Sequence, residues 1–229
     1  MDRTRSKLRR VIPIATPLLT FILLIAHPLP AQAQLVPVDE LGDLDWYSLL
    51  EPIADAFLVV HVLFSLCLAL LATSVFLLLE GLGGIAAGLS RACAFFFGVS
   101  YIVYETIIGT VTAMLVRGAR ALPPGDQAVI GGAIQRNFTD PILGDLPSVV
   151  SLVAWLTWVL AVVLAAVALR RSGMPLAPCV LLGLSSIFVS HASMLGPLGM
   201  LFFLLADVAM ERAGSPADII QPSFQEVSP

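Results

Sequence analysis

Residues 175–210 read "PLAPCVLLGLSSIFVSHASMLGPLGMLFFLLADVAM", an apolar run with no fixed charge before Asp207. As one helix, its roughly 36 residues would reach about 54 Å. The hydrocarbon core of a bilayer is about 30 Å thick, and typical tilts of about 20° do not absorb the excess. The run must break. Proline removes a backbone donor and clashes with the preceding turn, and glycine reaches the backbone angles that tight turns need. The spacing therefore predicts a helix over about 176–193, a turn at Gly196, Pro197 and Gly199 near the outer surface, and a second helix over about 197–212. A re-entrant segment or one strongly kinked helix is the alternative.

The rest of the chain shares this character. It has 229 residues, 58% of them hydrophobic and 12% charged, with a mean hydropathy of +0.95. Soluble domains carry about 25% charged residues, and here the deficit is concentrated in long apolar blocks. The expected fold is an all-α polytopic transmembrane bundle of five or six spans with a short interfacial helix in an outer loop. The net charge of −4 comes with no basic patch beyond the N-terminal tail, so nucleic acid is not an expected partner. Cys67, Cys93 and Cys179 lie in or beside apolar blocks without CxxC or metal-ligand spacing, and read as small buried hydrophobes.

The chain opens on "DRTRSKLRR" (2–10), an apolar stretch over 11–29 and "PLPAQAQ" (28–34). A basic start, an apolar core and Ala31-x-Ala33 make residues 1–33 either a signal peptide cleaved before Gln34 or a first transmembrane helix. Pro13 and Pro17 weaken the span and favour cleavage. Residues 34–229 form one bundle domain. Its apolar blocks cover about 53–79, 92–116 and 148–169, ahead of the run already described. In "LPPGDQAVIGGAIQRNF" (122–138), Val129, Ile130, Ala133, Ile134 and Phe138 share a helical face, and Asp126 is placed to cap it. That segment is expected to lie on the outer surface.

Orientation follows from the basic residues. With the N-terminus inside and six crossings, Arg3, Arg5, Lys7, Arg9, Arg10, Arg91, Arg170, Arg171 and Arg212 are cytoplasmic, and Arg117, Arg120 and Arg136 are outside. This matches the positive-inside rule, and reversal inverts the ratio. Removing residues 1–33 deletes one crossing without turning the others.

An ionisable residue within a span is costly to bury and marks a site unless it is paired for packing. Glu105, in "YIVYETIIGT" (101–110), sits about 11 residues from the outer end of its block, ~16 Å deep. His61, in "FLVVHVLF" (57–64), sits about eight from its own outer end, ~12 Å deep. The two helices are sequential and antiparallel. With Tyr101 one turn below Glu105, and His191 entering from the fifth block beside Ser190 and Ser193, the candidate polar cluster is His61, Tyr101, Glu105 and His191. Hydrogen bonds within it would hold helices together by ~0.6–2 kcal/mol each. The same residues would equally serve a proton or solute pathway. A haem or metal site would have to use His61 and His191. Glu80 and Asp207 lie near cytoplasmic ends, where charge is cheap. Trp155 and Trp158, three apart, suit core packing or an aromatic belt. Gly183 and Ser186 suit close helix packing. Gly81, Gly84 and Gly88 lack the strand-to-helix setting of a phosphate loop.

The basic turn "LRRSGMPLAP" (169–178) and the break "HASMLGPLG" (191–199) resemble uncharacterised multi-pass bacterial inner-membrane proteins over the C-terminal third. The resemblance implies a six-span bundle and no particular activity. No catalytic residue, resident metal or cofactor is expected. The leading expectation is a non-enzymatic structural or accessory protein of the inner (plasma) membrane, with the lipid bilayer, other membrane subunits or further copies of the chain as partners. The alternatives are a small solute or proton-coupled transporter module using Glu105 and His61, and a haem- or quinone-linked redox subunit.

Overall fold

A computed structural model of the chain describes residues 3–27, 45–144, 148–189 and 195–213. Every described element is helical. Seven helices follow in order: α1 (Arg3–Ile25), α2 (Trp46–Leu78), α3 (Ile85–Ala119), α4 (Pro124–Thr139), α5 (Val149–Arg171), α6 (Leu176–Leu184), continued by a tighter 3-10 turn (Ser185–Val189), and α7 (Leu195–Ala213). Among the described residues, α2, α3 and α5 are long and apolar enough to cross a membrane.

The bundle is built around α3 and α5, which pack along their lengths. Ala87, Ser90, Ala94 and Gly98 bury one stripe of α3, and Ala154, Ala161, Ala165 and Ala168 bury the matching stripe of α5. In a bilayer the lipid is as apolar as leucine, so association depends on close backbone approach and interhelical hydrogen bonds. Both are present: the Ser90 hydroxyl donates to the Ala161 carbonyl at 2.7 Å. Below the polar centre, Phe97, Tyr101, Trp158, Phe188 and Phe203 interlock, with Phe97 and Trp158 4.6 Å apart between centroids. The outward faces carry Val59, Leu66, Phe95, Phe96, Leu156 and Leu160.

Several boundaries differ from the sequence reading, each for a local reason. α3 begins at Ile85, seven residues before the apolar block. Arg91 is inside this helix, and its guanidinium donates to the carbonyls of Leu79 and Leu82, closing the end of α2. The last break also moves. α6 stops at Leu184 and its 3-10 turn at Val189, whereas Gly196, Pro197 and Gly199 belong to α7. Proline is tolerated in a first helical turn because its missing N–H has no partner there, so Pro197 starts a helix instead of separating two. Gly199 serves packing, since a Cβ there would strike the Phe188 backbone. The Ser185 carbonyl at the end of α6 accepts from Trp158 Nε1 at 3.2 Å.

Helix α4 forms where expected, but Asp126 lies in its first turn and no side chain caps it; Pro123 and Pro124 start it. Ile134 and Phe138 are buried, whereas Val129 points outward. Phe138 stacks on Trp46 at 4.1 Å. Gln127 donates to the carbonyls of Ala119 and Arg120, so α4 closes the end of α3.

Candidate functional site

The polar centre starts from His61 on α2. Its Nδ1 lies 2.7 Å from the Phe57 carbonyl one turn earlier. A carbonyl only accepts, so Nδ1 carries a proton and Nε2 is the exchangeable position. Glu105 on α3 puts Oε2 3.6 Å from that Nε2, with the side chains 4% and 1% exposed. This is ion-pair range, just beyond a hydrogen bond. The sequence expectation that these two groups meet is matched by the packing of α2 against α3.

The local shape of α3 makes the meeting possible. Directly after Glu105 the helix widens into a π turn, Thr106–Val111. Such turns frequently accompany functional sites. The widened turn presents Gly109 to the His61 ring so closely that any Cβ would overlap it. It also leaves the Ile107 carbonyl accepting from the Thr112 hydroxyl at 3.2 Å and from Asn137 Nδ2 of α4 at 3.2 Å. Asn137 donates as well to Thr112 Oγ1 at 3.3 Å. Helix α4 is thereby bonded directly to the segment holding Glu105.

One member of the centre was not foreseen. His27, just beyond α1, places Nε2 3.3 Å from His61 Nε2, and its ring stands edge-on to those of Phe57 and His61. It was overlooked because it falls inside the leader-like first 33 residues. The available signal was a histidine closing an apolar stretch.

The remaining candidates separate. Tyr101 is buried one turn below Glu105 and packs against Phe64, Phe97, Tyr104 and Phe188. His191, with Ser190 and Ser193, lies outside the described residues. Trp158 is in the core, whereas Trp155 faces outward, so their spacing of three divides them between two environments. Gly183 has open space where a Cβ would stand, and the close approach expected there is found at Gly199. Asp207 is 3% exposed rather than at a wet helix end. Neither of its carboxylate oxygens has a hydrogen-bond partner among the described residues.

The start of α2 and the end of α3 are tied by ion pairs: Arg117 with Asp55 at 2.7 Å, and Arg120 with Asp55 at 2.8 Å and Glu51 at 3.2 Å. These groups are substantially exposed, and pairs of that kind contribute about 0–1 kcal/mol. Outside the helices, Asp140 accepts from the backbone N–H groups of Leu143 and Ile142, which hold its carboxyl below the ordinary value of 3.8.

The chain matches no family model, no curated protein and no solved structure. The functional reading therefore rests on the chemistry of His27, His61 and Glu105. Two imidazoles and a carboxylate, contributed from three successive parts of the chain, can hold and pass a proton.

Proposed function

We propose that the chain is a multi-pass inner-membrane protein whose outer half carries a proton-binding His61–Glu105 pair, making it a proton-coupled membrane module. The observation that carries this reading is the 3.6 Å approach of His61 Nε2 to Glu105 Oε2 at almost complete burial. Two groups meant only to hold helices together need not titrate. An imidazole whose other nitrogen is committed to a carbonyl, beside a carboxylate, has one atom at which a proton is gained or lost. Six crossings, by α1, α2, α3, α5, α6 and α7, put nine of the twelve basic residues on the cytoplasmic side, as the positive-inside rule requires. In that arrangement the N-terminus is cytoplasmic, and α4 lies at the outer surface. Helix α6 with its 3-10 turn is about 23 Å long, the shortest of the six crossings.

The test is proton flux into proteoliposomes under an imposed pH gradient, together with thermal unfolding in detergent. Glu105→Gln is expected to reduce flux at least tenfold while leaving the melting temperature within a few degrees. Flux no greater than that of empty vesicles, or equal flux in the variant, overturns the reading. Destabilisation by Glu105→Gln with no wild-type flux assigns the pair to helix packing instead.

A further inference from the structure

Helix α1 has the faces of a bundle wall. Pro13, Thr16, Pro17, Thr20 and Leu24 are buried along one stripe, and Val11, Leu18, Leu19, Ile22 and Ile25 face outward. Offsets of three, four and seven are those of a single helical face. The helix packs against α2 and α7, and the Thr20 hydroxyl is satisfied within the helix by donating to the Thr16 carbonyl at 2.9 Å. A leader destined for removal has no need of a buried stripe, Thr16 and Thr20 included, on a helix packed against two others. Removing residues 1–33 would also strip His27 from the centre and uncover the edge of His61 that it now covers.

We infer that α1 is retained as a membrane helix, and that His27 is the residue through which the buried pair exchanges its proton with the outer aqueous phase. The three groups form a gradient of burial: His27 is half-buried, and His61 and Glu105 are almost fully enclosed. The order of transfer follows from the atoms. A protonated His27 breaks its Nε2–H bond and gives the proton to the Nε2 lone pair of His61, 3.3 Å away. His27 is left neutral and His61 becomes an imidazolium. Its new Nε2–H then moves to Glu105 Oε2, leaving a neutral imidazole and a neutral carboxylic acid. One proton has travelled, and a separated positive and negative charge have been cancelled inside the bundle. Nδ1 of His61 keeps its proton throughout, donating it to the Phe57 carbonyl.

Among the described residues, the titratable groups facing His61 are His27, just beyond α1, and Glu105 from α3. The surfaces closing the ring are Phe57 and Gly109. Asp55, Arg117 and Arg120 pair with one another at the exposed helix ends.

The relay rests on the proton-binding reading of the pair; retention of α1 does not. Intact mass and N-terminal sequencing of the membrane-purified protein are expected to find residues 1–33 present, and a mature chain starting at Gln34 overturns the inference. In proteoliposomes, His27→Ala and His27→Gln are each expected to lower proton flux at least tenfold. Added imidazole should restore the alanine variant, an effect that a purely structural loss would not give. Wild-type flux in both His27 variants, with Glu105→Gln inactive, removes His27 from the relay but leaves the pair. Wild-type flux in Glu105→Gln removes the pair itself.

Discussion

The centre depends on a residue that has no side chain. Gly109 lies against the His61 ring with no room for a methyl group, and the ring cannot retreat. Phe57 packs on it at 3.9 Å, and Nδ1 is bonded to the Phe57 carbonyl. Overpacking a closed site typically costs about 1–3 kcal/mol. Gly109→Ala is therefore expected to destabilise the bundle by that amount and to displace His61 from Glu105, as read by thermal unfolding in detergent. A variant as stable as the wild type would mean that the ring has somewhere to go. Much of this scale was legible in the sequence. His61 and Glu105 stand out because ionisable groups are rare in apolar runs. Gly109 does not stand out, because a glycine in an apolar helix looks the same whether it meets a ring or open lipid.

At the scale of elements, the end of the bundle that carries α4 is a set of mutual closures. Gln127 of α4 covers the end of α3, Asn137 bonds the π turn, and the loop at 140–144 serves α5, whose Val149 and Val150 N–H groups donate to the Pro141 and Ile142 carbonyls. Asp140 organises that loop by accepting from Leu143 and Ile142. Because its folded carboxyl is held below the ordinary 3.8, its contribution is fully present above about pH 4 and is lost as pH falls through the lower folded value. Hydrogen exchange at the Ile142 and Leu143 amides should accelerate relative to the intrinsic rate as pH drops from about 5 to about 3. In Asp140→Ala that added acid sensitivity should disappear; if the variant keeps it, another group orders the loop. This level was only partly readable. The apolar face of α4 is visible as a periodicity, but the π turn of α3 has no compositional mark. The extension of α3 back to Ile85 depends on Arg91 finding two carbonyls, which no local pattern announces.

For the whole molecule, the decisive question is which side of each helix faces its neighbours, and composition alone is nearly silent there because both sides of α5 are apolar. The helical class follows directly from the apolar blocks, and among the described residues three helices are long and apolar enough to cross a membrane. The position of the last break did not follow, since proline marks a helix start as readily as a stop. What distinguishes inside from outside on α5 is size: alanine lines the α3 contact, and valine, leucine and Trp155 line the opposite face. Two substitutions separated by a fraction of a turn test this. Ala161→Leu places three extra carbons where Ser90 now reaches the Ala161 carbonyl at 2.7 Å. It should force α3 and α5 apart, at a cost of about 1–3 kcal/mol. Val163→Leu adds one carbon on a side chain that is 40% exposed and should change stability by no more than about 0.5 kcal/mol. Unfolding both variants in the same detergent gives the comparison directly. Equal effects would mean that α5 is rotated from the orientation described, and with it the packing of α3 that carries Glu105 to His61.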